Sequence, residues 1–92
     1  MATTRVKIGS TVGLHARPAG LLVQAAARQP VPVLIGRPGT PGVPASSILA
    51  VMSLAVAGGE EVELTAEGEG ADQALTEIAA LLAQNHDEPA LG

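Results

Sequence analysis

The chain has 92 residues, of which 47% are hydrophobic, and it contains no Cys, Phe, Trp or Tyr. These values predict one small domain over residues 1–92 with an aliphatic core, and they exclude disulfides and thiolate metal sites. The net charge is −4, with all five basic residues in the first 37 positions and all nine acidic residues from position 60 onward. A net acidic chain without a basic run or aromatic side chains is not expected to bind nucleic acid.

The first elements are predicted to be a strand and a helix. Residues 3–8 alternate polar and apolar side chains, which is typical of a half-buried strand. Residues 16–28 have a helical pattern, with one apolar face formed by Ala19, Leu22, Val23 and Ala26. Pro18 then falls in the first helical turn, where a missing N–H group costs little.

A hairpin is predicted next. Short strands at residues 31–35 and 40–43 flank a turn at residues 37–40, whose sequence is RPGT. Pro41 and Pro44 have no backbone N–H group to donate. The second of these strands is therefore expected at the edge of a sheet.

The second half of the chain predicts helix, strand and helix. Residues 48–54 form a short helix capped by Ser46 or Ser47, and residues 61–67 alternate as a strand with one solvated face. Residues 71–84 form a third helix, and residues 85–92 are expected to be a frayed tail. The β-α-β-β-α-β-α order predicts an α+β domain with an antiparallel sheet covered by helices on one side.

The segment GLHARPAG at residues 13–20 is the strongest candidate for a functional site. His15 precedes a helix start, where unpaired backbone N–H groups and the positive end of the helix dipole favour anions. An imidazole nitrogen can act as a nucleophile, and the Arg17 guanidinium matches the geometry of a phosphate group. These residues predict a histidine that carries a phosphoryl group. The alternative is a surface histidine that serves only as a helix cap.

The sequence resembles the HPr family, the histidine-containing phosphocarriers of the bacterial phosphoenolpyruvate-dependent sugar phosphotransferase system. The resemblance rests on GLHARPA at the histidine, on SILAVMSL at residues 47–54, and on Gly59 followed by the alternating strand at Glu61. It extends over about residues 3–84. It implies an open-faced β-sandwich, in which a four-stranded antiparallel sheet of order 1-4-2-3 is covered on one face by three helices.

The resemblance also implies a function and a set of site residues. His15 would be phosphorylated on Nδ1 by enzyme I, which takes the group from phosphoenolpyruvate, and would pass it to enzyme IIA proteins. Arg17 would be its charge partner. A partner-binding surface would be formed by Ala16, Arg17, Gly20, Leu21 and Gln24 from the first helix, and by Ile48, Leu49, Val51 and Met52 from the second.

Some features depart from the family pattern or leave a choice open. Ser47 corresponds to a serine that a regulatory kinase phosphorylates in many members, but Ser46 stands where those members have a basic residue. The alternative is that Ser47 serves only as a helix N-cap. An HPr-like regulatory module that docks on a kinase or a transcription regulator is the alternative function, and an autonomous enzyme is not favoured.

The remaining expectations concern surroundings and ligands. The first residues lack the apolar core of a signal peptide and no segment is a membrane span, so a cytoplasmic protein is expected. A monomer is expected as well. No cofactor and no metal are expected, because His15 and His86 are too far apart to form a good metal site.

Overall fold

A computed structural model describes residues 1–9, 13–14 and 16–84, without the side chain of Ala16. In chain order its elements are β1 (Ala2–Lys7), α1 (Ala16–Ala27), β2 (Val33–Gly36), β3 (Val43–Pro44), α2 (Ile48–Ser53), β4 (Glu61–Ala66) and α3 (Ala71–Ala83). The predicted succession of strands and helices is confirmed, with boundaries that shift by a few residues. The predicted tail at residues 85–92 lies outside the described residues.

The four strands form one antiparallel sheet in the order β1-β4-β2-β3. β4 is an inner strand, which pairs with β1 from Lys7↔Glu61 to Ala2↔Ala66 and with β2 along its other side. The implied order 1-4-2-3 is therefore confirmed. This pairing joins residues 2–7 to residues 61–66, which are far apart in the sequence.

One face of the sheet supplies the core. Along β4 the side chains of Val62, Leu64 and Ala66 are buried, whereas those of Glu61, Glu63 and Thr65 are exposed or partly exposed. The three helices cover the buried face, and the opposite face remains open. The largest fully buried side chains are all aliphatic: Leu22, Ile35, Leu64, Ile78, Val51 and Val62.

The apolar face predicted for the first helix is confirmed with one exception, and α3 also presents one apolar face to the core. α1 buries Ala19, Leu22 and Ala26 as predicted, but it buries Ala25 where the sequence pattern indicated Val23, which is only partly buried. α3 buries Ala71, Ala74, Leu75, Ile78 and Leu82, and Leu81 is partly buried.

The edge strand is shorter than predicted. The turn forms as expected, since the Thr40 N–H donates to the Arg37 carbonyl at 3.0 Å and Gly39 has φ +80°. Pairing with β2 begins only at Val43, because Pro41 has no N–H group to contribute. β3 lies at the sheet edge, where Pro44 is tolerated, as the prolines predicted.

No helix within the described part of the chain combines the length and the apolar character that crossing a membrane would need.

Candidate functional site

The segment that leads to His15 is fixed to the chain that follows α2. Gly13 has φ +82°, and a Cβ added there would lie 2.1 Å from the Val56 carbonyl oxygen. The Leu14 N–H donates to the same carbonyl at 3.0 Å, and the Leu14 side chain is buried. Only glycine fits at position 13, both for its backbone angle and for this close approach. The backbone just before His15 is thus attached to the Val56 carbonyl, and we call this contact the anchor.

His15 itself lies outside the described residues, between Leu14 and the start of α1 in the chain. Its roles as helix cap and as phosphoryl carrier therefore stay predictions. The side chain of Ala16, predicted on the partner-binding surface, is also outside the description. The structure defines the residues on either side of the histidine, which are Gly13 and Leu14 before it and helix α1 after it.

The start of α1 offers the features that the sequence predicted for an anion site. The helix begins at Ala16 and has 12 residues. As in any α-helix, the backbone N–H groups of its first turn have no intrahelical partner. The Arg17 side chain is exposed, and it makes no hydrogen bond or ion pair with another described residue. Pro18 and Ala19, by contrast, are buried and attach the first turn to the core. The cation nearest to His15 in sequence is thus exposed to solvent.

Most of the predicted partner-binding residues are accessible. On α2, which packs against α1, the exposed fractions are 39% for Ile48, 81% for Leu49 and 43% for Met52. On α1, Gln24 is exposed, and Gly20 and Leu21 are partly exposed. We call the accessible surface of these six residues, with Arg17, the docking face. It contains three exposed large apolar side chains and no acidic residue.

Val51 does not belong to this surface, and that prediction was wrong. Its side chain is 0% exposed and is the buried residue of α2. At 3.6 residues per turn, Val51 lies almost opposite Leu49, so one faces the core when the other faces solvent. Val51 anchors α2 and leaves Ile48, Leu49 and Met52 outside.

Ser47 is the N-cap of α2. Its backbone is extended, with φ −107° and ψ 114°, and its Oγ accepts a hydrogen bond from the Ala50 N–H at 3.3 Å. This resolves the choice between Ser46 and Ser47 as the cap, because the bond satisfies one unpaired N–H group of the first turn. The regulatory phosphorylation of Ser47 stays a prediction.

The C-terminal end of α2 is held by two charged residues that sequence reasoning had not singled out. Arg37 Nη1 donates to the Leu54 carbonyl at 2.8 Å and Nη2 to the Ala55 carbonyl at 3.4 Å. Arg37 also forms a two-point contact with the Glu60 carboxylate through Nε and Nη2. We call Arg37 and Glu60 the arginine clasp.

Glu60 has a further partner within the clasp. Its Oε1 accepts a hydrogen bond from the Ala57 N–H at 3.0 Å. This backbone bond, followed by the hydrogen bond from Arg37, lowers the pKa of the Glu60 carboxyl below its usual 4.5. Arg37 and Glu60 are 23 positions apart, so no local sequence signal could have paired them.

The sequence and the fold are similar to those of known proteins. The family model described as PTS HPr component phosphorylation site matches residues 2–84. A phosphocarrier protein HPr from Streptomyces coelicolor is 46% identical over 88 residues, which are 96% of this chain and 95% of that protein. The HPr-like protein Crh of Bacillus subtilis is 44% identical over 80 residues, which are 87% of this chain and 93% of that protein.

A solved structure agrees with these relatives. The crystal structure of HPr-C-His from Thermoanaerobacter tengcongensis superposes with a TM-score of 0.85 at 34% sequence identity, over 97% of this chain and 99% of that one. The family model, the curated relatives and the fold all extend over nearly the whole chain. The chain belongs to the HPr family, the phosphocarrier proteins of the phosphotransferase system.

Proposed function

We propose that this protein accepts a phosphoryl group on His15 from phosphorylated enzyme I and passes it to enzyme IIA proteins, as a monomer in the cytoplasm. The observation that carries the proposal is the uninterrupted GLHARPA sequence, whose glycine lies close to the Val56 carbonyl and whose arginine is exposed in the first turn of α1. The phosphoenolpyruvate-dependent relay for sugar uptake is the setting that family membership supports.

The transfer step conserves atoms and electrons. In the proposed step a lone pair on His15 Nδ1 attacks the phosphorus atom, and the bond from phosphorus to the donor breaks as the Nδ1–P bond forms. The second transfer reverses the roles, so that His15 becomes the leaving group and the acceptor side chain becomes the nucleophile. No cofactor is required for either step.

The electrostatics at the start of α1 suit a protein that binds a phosphoryl group only moderately and then transfers it. A phosphoryl group adds close to two negative charges. The N–H groups of the first turn and Arg17 attract that charge, but an exposed helix terminus contributes only about 0.3–1 kcal/mol. Since Arg17 is exposed, water screens its contribution too. Such moderate stabilisation allows the group to be passed on.

The docking face gives both partners one surface to recognise. Leu49 is 81% exposed and is accompanied by Ile48 and Met52, and an exposed apolar group of this kind marks a protein interaction site. Arg17 lies on α1, the helix against which α2 packs. Because donor and acceptor are proposed to use the same face, they would bind in turn and not together.

The test is an intact-mass assay with phosphoenolpyruvate and an active enzyme I. Wild type is expected to gain one acid-labile phosphoryl group, and His15→Ala none. His86→Ala is the matched control, since it removes the other histidine of the chain, and it should keep the adduct. An adduct that survives in His15→Ala, or one that disappears in His86→Ala, would refute the assignment of His15.

A regulatory docking module is the second candidate, and the similarity to the HPr-like protein Crh favours it. Such a module would bind a kinase or a transcription regulator through α2, with Ser47 as the residue that a regulatory kinase modifies. The histidine separates the two functions, because docking alone does not require a nucleophile at position 15. Failure of wild type to take a phosphoryl group from an enzyme I that phosphorylates another HPr would support the regulatory function.

A further inference from the structure

We propose that Arg37 and Glu60 are positioning residues that hold α2 in the orientation in which partners recognise the docking face. The proposal rests on the proposed function, because it assumes that the exposed side chains of α2 contact enzyme I. It assigns a role in partner recognition to two residues that are not themselves on the docking face.

α2 needs support from outside its own length. It has only six residues, and an isolated helix of that length is not stable in water. Ser47 caps its first turn, and Val51 is its single buried side chain. The last carbonyl groups of a helix lack the regular intrahelical partners. In α2 those of Val51 and Met52 accept from the N–H groups of Leu54 and Ala55, so the carbonyl groups of the C-cap Leu54 and of Ala55 are left for donors from outside the helix.

The arginine clasp supplies those donors. Arg37 follows β2 at the start of the hairpin turn, and its Nη1 and Nη2 reach the carbonyl groups of Leu54 and Ala55. Glu60, just before β4, fixes the guanidinium by a two-point contact. A planar guanidinium in such a contact has a defined orientation, which a single lysine ammonium could not provide. The end of α2 is thereby attached to two strands of the sheet.

The clasp also holds a strained residue in place. Ala55 has φ +52°, a left-handed conformation that persists in a residue other than glycine only where surrounding contacts impose it. The Ala55 N–H donates to the Met52 carbonyl at 3.1 Å, so this strained turn is directly continuous with a residue of the docking face. If Arg37 is removed, the turn can relax, and we expect Met52 and Leu49 to occupy a wider range of positions.

The experiment compares Arg37→Ala with Arg5→Ala. Arg5 is the matched control, because it also forms an ion pair, with Glu63 at 3.3 Å, but lies on β1 at the opposite edge of the sheet from β3. For each variant we would measure thermal unfolding, hydrogen exchange of the backbone amides of α2, and the KM and kcat for phosphorylation by enzyme I. Unfolding data identify the temperatures at which both variants are folded.

The expected results separate positioning from stability. Arg37→Ala should exchange the Leu54 and Ala55 amides faster and raise KM by about two- to tenfold, the factor for losing one net hydrogen bond, with kcat unchanged. Arg37→Lys should fall between wild type and Arg37→Ala in KM. Arg5→Ala should match wild type in α2 exchange and in KM.

Two different failures can be distinguished. If wild type is phosphorylated and Arg37→Ala matches Arg5→Ala in both KM and α2 exchange, the positioning role is refuted and the proposed function stands. A fall in kcat with KM unchanged would also refute it, since the defect would then lie in the transfer and not in docking. If enzyme I does not phosphorylate wild type, the proposed function is refuted, and the positioning role, which depends on it, is refuted as well.

Discussion

Ala55→Gly should stabilise the protein. Ala55 follows the C-cap of α2 at φ +52°, and among the described residues it is the one non-glycine residue with a positive φ. Glycine adopts this conformation without steric cost, and it is the residue most often found just after a helix end. The Ala55 side chain is exposed, so its removal sacrifices little packing.

The magnitude follows from two opposing effects. Alanine in the left-handed region costs about 1–2 kcal/mol, which the substitution would recover. Glycine increases the conformational entropy of the unfolded chain, which costs about 0.4–1 kcal/mol. We therefore expect the free energy of unfolding to rise by about 0.5–1 kcal/mol. For a domain of this size the corresponding rise in Tm is about 2–8 °C.

Urea titration followed by far-ultraviolet circular dichroism would measure the change, since the chain has no aromatic side chain to report on unfolding by fluorescence. Ala80→Gly is the matched control, because it makes the same chemical change at an exposed position within α3. It should destabilise the protein by about 0.5–1 kcal/mol. If Ala55→Gly destabilises to the same extent as Ala80→Gly, the reasoning about strain at Ala55 is wrong.

Three further predictions concern the site and its supports. Gly20→Ala should stabilise α1 by about 0.5–1 kcal/mol in thermal unfolding, since among the described residues the new methyl group would meet no atom within 4 Å outside the adjoining helix backbone. It should also raise the KM for enzyme I by entering the docking face, and a loss of stability would contradict the prediction. Gly13→Ala should destabilise by about 1–3 kcal/mol in urea titration, because its Cβ would collide with the Val56 carbonyl oxygen, and a neutral result would contradict the anchor described above. The pKa of the Glu60 carboxyl is lowered in the folded protein, so its contribution to stability is present above pH 4.5 and is lost as the pH falls through the pKa of the folded state. The difference in unfolding free energy between wild type and Glu60→Gln should therefore be larger at neutral pH than in acid, and a difference that does not change with pH would contradict the pairing with Arg37.

The sequence predicted best those features that local periodicity and turn chemistry determine. β4 alternates strictly between buried and solvated positions, and its pattern was legible in the residues alone. The turn at residues 37–40 was equally clear, because proline and glycine stand where its backbone requires them. The edge position of β3 followed from its prolines, although its first residue depended on how it pairs with β2.

The sequence could not decide which face of α2 is buried. Ile48, Leu49, Val51 and Met52 are all apolar, and no charged residue in this short helix marks the solvated side. Only the packing of α2 against α1 and β3 selects Val51 for the core. The arginine clasp was missed for a related reason, since it joins residues that only the sheet brings together.

The pairing of β1 with β4 has a consequence for how the protein is made. Arg5 and Glu63, which face each other across this ladder, are 58 positions apart in the chain. Long-range pairing of this kind carries a large loop-closure cost and slows folding relative to domains built from local contacts. During synthesis the sheet cannot close until β4 has left the ribosome, by which time α1 and α2 have already emerged. The histidine segment and the docking face lie inside that loop, so a nascent chain is expected to become competent for phosphoryl transfer only when nearly all of its residues are available to fold.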